Sequence, residues 1–212
     1  YDGTAPYKNL MTCGFVVDGD GRKMSKSIGN VVSPMDIAQK SGADIIRMWV
    51  GTTDYGQDMR WSDEILARAS DTYRRIRNTF RFLLSNIADM AETDKVSYSE
   101  LLEIDKAELV RLADVIEEVT RHNDEWHFYL AQRTLSDYIG DLSSTYLDVL
   151  KDRLYADAPA SLERRSAQTV LAEILSALVR MLAPVLAFTS DETWGFMPGW
   201  LTEGRESVHL SE

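Results

Sequence analysis

From Ser62 onward the apolar residues of this chain recur at helical spacing, and that periodicity limits the fold more than any other feature. Tyr73, Ile76, Phe80, Leu83, Leu84 and Ile87 lie on one stripe, as in a helix with one buried face. Ser62 suits an N-cap, with Asp63 and Glu64 in a first turn where the helix dipole favours acids. A helix from Asp63 to about Met90 follows. Asp105 with Glu108 three residues on predicts a second, opened by a capping box, with Leu109, Leu112, Ile116 and Val119 on its apolar face. Further helices are expected from Glu125 to about Leu150 and from Ser161 to about Leu182. Thr189 and Glu192 form one more capping-box pattern, ahead of a short helix carrying Trp194. Such helices can bury their stripes only against one another, so the expected architecture is mainly α, an antiparallel helical bundle.

Residues 1–61 read differently, which places the one domain boundary near residue 62. Met11 to Val17 is a strand-like apolar run, and Asp18-Gly19-Asp20-Gly21 after it is turn-rich. Ser33-Pro34 resembles an N-cap with proline at the first helical position, and Gly42 ends the helix that it opens. Ala43 to Val50 is expected to be a second short helix. No apolar stretch reaches the roughly 18 residues of a membrane span, since Leu182 to Phe188 is short and contains Pro184. One cysteine, Cys13, allows neither an internal disulfide nor a multi-cysteine zinc site, and fits a reducing cytoplasm. The chain opens at Tyr1 with no initiator Met, basic n-region or apolar h-region, so it is read as a piece of something longer without a secretory signal.

A formal charge of −11 argues against general binding of nucleic acid. Its distribution is uneven: residues 60–81 carry six Lys/Arg against three Asp/Glu, while residues 82–212 carry eleven against twenty-four. Within the basic island Arg74, Arg77 and Arg81 recur at three- and four-residue spacing and form one stripe, flanked by Arg75 and Asn78. Such a row can contact successive phosphates, and guanidinium planes stack on unpaired RNA bases. The alternative is a solvated face with ordinary i,i+4 pairs, but acidic partners in the local sequence are few. Trp126, Trp194, Tyr129, Tyr138 and Tyr146 are expected to pack rather than to stack on bases. On a continuous helix His122 and His127 would stand about 140° apart, so no metal site is expected.

Gly21-Arg22-Lys23-Met24-Ser25-Lys26-Ser27-Ile28-Gly29-Asn30 is the segment richest in chemistry. Two lysines and two serines within five residues can bring ammonium and hydroxyl donors together on a polyphosphate. Mobile point charges that close over a departing pyrophosphate stabilise its developing charge. The pattern is not a Walker loop, since G-x-x-x-x-G-K-[ST] is absent.

Lys23-Met24-Ser25-Lys26-Ser27 spells KMSKS, and with Ile28-Gly29-Asn30-Val31-Val32 and Pro34 it resembles the second signature of class I aminoacyl-tRNA synthetases, in the isoleucine, valine and leucine subgroup. Ala5-Pro6-Tyr7-Lys8, Gly14-Phe15, Gly42-Ala43-Asp44, Arg47 and Trp49 fit in order. Residues 73–84 and 141–148 resemble the isoleucyl branch; valyl and leucyl relatives are the nearest alternatives, and a non-catalytic acidic helical scaffold that binds another protein is the alternative of a different class. The resemblance implies that residues 1–61 are the end of a Rossmann-type catalytic domain with its stem-contact region, and residues 62–212 a helical anticodon-binding domain. It implies catalytic roles for Lys26 and Lys23, Lys26 stabilising the transition state of adenylate formation. Lys23, Met24, Ser25, Lys26 and Ser27 would form the ATP-binding loop, and Arg74, Arg75, Arg77, Asn78 and Arg81 would contact tRNA. The implied parent is a cytoplasmic, monomeric ligase that uses ATP with Mg2+, isoleucine and tRNA(Ile). The family's HIGH signature is missing, since His122, His127 and His209 have no H-x-G-H context, so the isolated chain is expected to be inactive. Cys13 stands where histidine is common in the family.

Overall fold

The computed structural model describes Gly3 and residues 5–211; residues 1, 2, 4 and 212, including the opening Tyr1, lie outside the described residues. In chain order the elements are β1 (Val16–Val17), α1 (Pro34–Ser41), α2 (Ala43–Gly51), β2 (Met59–Arg60), α3 (Asp63–Ile87), α4 (Glu103–Asp124), α5 (Phe128–Ser144), α6 (Tyr146–Val149), α7 (Lys151–Tyr155), α8 (Leu162–Leu182) and α9 (Ala187–Gly195). The fold is mainly α, as expected. The strand expected over Met11 to Val17 shrinks to β1, which pairs in parallel with β2, Val16 opposite Met59 and Val17 opposite Arg60. Leu10, Met11 and Phe15 ahead of it are exposed, with no partner strand among the described residues to extend the ladder.

From Ser166 to Leu182 most residues of α8 are apolar or small, and the helix is buried on most of its sides. Ala167, Val170, Leu171, Ile174, Leu175, Leu178, Val179 and Leu182 are all fully buried, between α3, α4, α7 and α9. Ser161 caps it, accepting from the Arg164 amide. α3 supplies Ile76, Phe80, Leu83 and Ile87 to the same core. It starts at the predicted Ser62 cap, whose hydroxyl accepts from the Ile65 amide at 3.2 Å, and ends at Ile87, three residues before the expected Met90.

Three helical expectations are corrected. α4 opens at Glu103, so Asp105 lies inside the helix rather than at its cap. Its carboxylate is wholly buried and accepts from Tyr146 Oη (2.7 Å), Ser166 Oγ (2.5 Å) and both terminal nitrogens of Arg153 (3.1 and 2.6 Å). Burial and that carboxylate push the Tyr146 hydroxyl well up, so it stays a donor. The buried face of α4 runs Asp105, Glu108, Leu112, Val115, Val119 and His122, which leaves Ile116 exposed. The expected helix from Glu125 to Leu150 is instead α5 followed by α6. Ser143 and Ser144 return their hydroxyls to the carbonyls of Ile139 and Asp141, and Thr145 to that of Asp141. Such back-bonding bends a helix, and the backbone breaks at Thr145 (φ −120°, ψ −78°). Finally, α9 starts at Ala187, so Thr189 and Glu192 form no capping box.

The cap of α9 comes from far away in the chain. Asp44 of α2, 5% exposed, accepts from the Thr189 amide (2.7 Å), the Thr189 hydroxyl (2.6 Å) and the Phe188 amide (3.4 Å). One helical turn on, Arg47 donates to the carbonyls of Pro184 (2.7 Å) and Val185 (2.9 Å). Thus α2 supplies partners to amides in the first turn of α9 and to carbonyls of the turn that precedes it. Gly42, at φ +92°, separates α1 from α2. Gly51 ends α2 so close to Val185 that an added Cβ would stand 3.1 Å from its methyls. Met48 faces the main core, whereas Trp49 meets Trp61 edge-on at 4.9 Å in a second cluster with Ile45 and Ala69.

Removing one partner of a buried ion pair strands the other, so Asp105→Ala should lower the unfolding free energy by about 3–5 kcal/mol. Asp44→Ala should cost about 1–2 kcal/mol, the range for a lost helix cap. Urea denaturation of both variants checks the order; an Asp105 loss no larger than that of Asp44 would show that Arg153 swings freely into water.

Candidate functional site

The loop between β1 and α1 is tied at its base. Asp18, directly after β1, accepts from the Asp20 and Arg22 amides (3.1 and 2.8 Å), Arg22 Nε (3.1 Å) and Asn30 Nδ2 (2.9 Å). The Asn30 donor, then the Arg22 amide, hold its carboxyl down at about 2, so it stays ionised at ordinary pH. Asn30 also accepts from the Ser25 amide at 2.8 Å through Oδ1. One amide side chain therefore closes the loop over residues 18–30. Gly29, at φ +76°, turns the chain back toward it.

Within that frame the five motif residues separate by role. Met24 is half-buried against the cluster of Ile45, Trp49, Trp61 and Ala69. Ser25 Oγ lies 3.1 Å from Ser27 Oγ and accepts from the Ile28 amide at 3.3 Å. Lys23 places Nζ 4.4 Å from the centre of the Phe15 ring. Lys26 and Ser27 are exposed, and among the described residues no carboxylate lies within ion-pair distance of Lys26. The arrangement presents one free ammonium and hydroxyl groups on a loop whose base is held. Sequence reasoning placed Asp18 in a turn and Asn30 in a motif extension and missed them as partners; the signal available was an Asx residue at each end of a glycine-bounded loop.

The basic residues of α3 do not form a single free row. Arg77 donates to Glu192 of α9 (2.8 and 3.4 Å) and to Tyr73 Oη (3.4 Å), and Glu192 foremost raises its pKa. Arg74 pairs with Asp71 at 3.2 Å in an exposed contact. Acidic partners are thus less scarce than the local sequence suggests, because Glu192 reaches Arg77 from another helix. Arg81 is exposed beside Phe196 and Leu84. Arg75 and Asn78 lie on the other flank, where with Lys151, Ser143 and Phe82 they line a cleft of about 240 Å3. The candidates therefore fall on different sides of α3: Arg77 and Arg81 toward α9, Arg75 and Asn78 toward α5 and α6, with Arg74 exposed beside Asp71.

Trp194, Tyr138 and Tyr146 are buried as expected, and Tyr129 is half-buried. Trp126 is not: it is 44% exposed, at φ +64° in the turn after α4. That turn also removes the premise that kept His122 and His127 apart. α4 ends at Asp124, and the His127 amide returns to the His122 carbonyl at 2.7 Å, which brings the rings to 6.5 Å between centres. Cys13 is exposed.

Among the described residues no helix is long and apolar enough to cross a membrane. Residues 1–62 match the family model for class I tRNA synthetases of the I, L, M and V group, and residues 105–212 match the anticodon-binding domain of tRNA ligases. The isoleucine–tRNA ligase of Symbiobacterium thermophilum is 52% identical over 199 residues, 93% of this chain and 21% of that protein. That of Caldanaerobacter subterraneus subsp. tengcongensis is 50% identical over 212 residues, 99% of this chain and 23% of that protein. The chain therefore spans about a fifth of the length of these curated relatives. Among solved structures, LeuRS of Agrobacterium radiobacter K84, in a ternary complex with tRNA and LeuAMS, matches with a TM-score of 0.71 at 25% identity, over 90% of this chain and 22% of that one. Methionyl-tRNA synthetase of Mycobacterium tuberculosis, bound to methionyl-adenylate, shares the fold with a TM-score of 0.73 at 23% identity, over 92% of this chain and 40% of that one. With both family models matched in order along it, the chain belongs to the class I tRNA synthetases of the isoleucine, leucine, methionine and valine group.

Proposed function

We propose that this chain is the part of an isoleucine–tRNA ligase that carries the ATP-closing loop and the tRNA-binding helices. Residues 1–61 would be the end of the catalytic domain with the stem-contact region, and residues 62–212 the anticodon-binding domain. The whole enzyme would join isoleucine to ATP as isoleucyl-adenylate, release pyrophosphate, and pass isoleucine to tRNA(Ile). A cytoplasmic, monomeric parent is part of the same reading. The observation that carries it is the KMSKS loop itself, held at Asp18 and Asn30 with Lys26 exposed, in a chain about half identical to isoleucine–tRNA ligases along its whole length.

The geometry supports a division of labour. Met24 anchors the loop on the Trp49–Trp61 cluster, while Lys26 and Ser27 stay free to meet phosphate oxygens. An ammonium group aimed where charge develops on the leaving pyrophosphate lowers the barrier without holding the ground state more tightly. Ser25 and Lys23 would complete the phosphate contacts. The lysines repel a divalent cation, so the loop does not fit Mg2+ as a ligand set; the ion would enter with ATP. Arg75 and Asn78, with Lys151 across their cleft, and exposed Arg81 are the side chains best placed to meet RNA phosphates. Arg77 would first have to leave Glu192.

In the full-length enzyme Lys26→Ala should slow isoleucine-dependent ATP–pyrophosphate exchange about 10²-fold or more with little change in isoleucine binding. An unaltered exchange rate would remove Lys26 from the chemistry, and exchange driven by valine or leucine in place of isoleucine would reassign the substrate. In salt-resolved titrations of this chain with tRNA(Ile), Arg81→Ala and Arg75→Ala should each weaken binding and reduce the salt slope by about one. Unchanged affinity and slope in both would make the basic face of α3 a solvated surface.

A further inference from the structure

The turn between α4 and α5 gathers three metal-competent side chains that the ligase chemistry does not use. One ring nitrogen of His122, one carboxylate oxygen of Glu125 and one ring nitrogen of His127 lie within 4.8 Å of one another. Three hydrogen bonds hold the turn that assembles them: the Trp126 amide donates to the Asn123 carbonyl, the His127 amide donates to the His122 carbonyl, and the Trp126 carbonyl accepts from the Tyr55 hydroxyl. His127 and Glu125 already approach, Nδ1 to Oε2, at 3.4 Å.

His122 supplies a second, independent sign. It is only 7% exposed, its Nε2 stands 3.4 Å from Glu118 and 3.5 Å from Arg121 Nη2, and its buried Nδ1 has no hydrogen-bond partner. A neutral imidazole buried with an unpaired nitrogen is costly. A ring with one nitrogen on an ion and the other against a carboxylate is the arrangement that metal-bound histidines adopt, and His122 has both a carboxylate neighbour and a spare nitrogen. We propose that His122, Glu125 and His127 bind a divalent transition-metal ion of the zinc type, with water completing its coordination.

Two imidazoles and one carboxylate suit zinc, cobalt or nickel better than magnesium or calcium, which prefer all-oxygen sets. Bonds of about 2.0–2.2 Å place tetrahedral ligands roughly 3.3–3.5 Å apart, so side-chain rotation of about an ångström closes the set. Glu125 and His127 are half exposed and free to make that adjustment. Arg121, 3.3 Å from Glu125, is also half exposed and moves into solvent as the ion enters.

The test uses this whole chain with zinc chloride in isothermal titration calorimetry near neutral pH, and cobalt(II) as a second probe read by visible absorption. One saturable site is expected, with proton release on binding and loss of affinity as the histidines protonate. His127→Ala and Glu125→Ala should each weaken zinc binding about tenfold or more, and His209→Ala, at a separate position, should leave it unchanged. Both ligand residues are half exposed, so these variants should keep the helical circular dichroism of the parent. Absence of saturable binding, or equal affinity in the parent and both ligand variants, overturns the proposal.

Discussion

The corner where α8 turns into α9 depends on a helix from the other end of the chain. Helix ends leave carbonyls and amides without partners, and buried ends must find them outside the helix. At this corner Arg47 takes up two carbonyls of the turn that follows α8, and Asp44 takes up amides in the first turn of α9, so opposite charges on successive turns of α2 meet opposite backbone groups of one corner. The match orients α2 as well as attaching it. With Met48 in the bundle core and Trp49 in the cluster that anchors Met24, α2 joins the lysine-bearing loop to the corner. It shares that task with α3, whose Ala69 lies in the same cluster, and with the β1–β2 pair that leads into α3.

What could be read from the sequence was what short-range rules govern. The Ser62 and Ser33 caps lie where their hydroxyls predict, and the helix expected from Ser161 to about Leu182 is α8, because capping and periodicity are properties of neighbouring residues. The loop motif was likewise legible as a chemical statement. Its two-point base was not, since Asp18 and Asn30 are twelve residues apart and each looks like an ordinary turn residue.

The misreadings share a cause. Asp105 looks like a cap until Arg153, Tyr146 and Ser166 arrive from three other elements to make it a buried hub. Ile116 looks like core, yet on the face that buries Asp105 it is Val115 that lies inside. Arg77 looks unpaired until α9 brings Glu192. In each case a tertiary partner more than thirty residues away overrides a local pattern, which periodicity cannot anticipate. The break at Thr145 is different: its cause is local, the run Ser143-Ser144-Thr145 whose hydroxyls return to backbone carbonyls within an otherwise helical apolar pattern.

Asp44 and Thr189 are 145 residues apart, and that separation is also an interval of time. At synthesis rates of 5–20 residues per second, α2 leaves the ribosome on the order of ten seconds before the helix it caps exists. Through that interval Asp44 has no α9 amides to meet and Arg47 no corner carbonyls. The cluster of Ile45, Trp49, Trp61 and Ala69 under the lysine-bearing loop can assemble as soon as α3 exists, whereas the polar hold of the α8–α9 corner on α2 is added last, when α9 has been made.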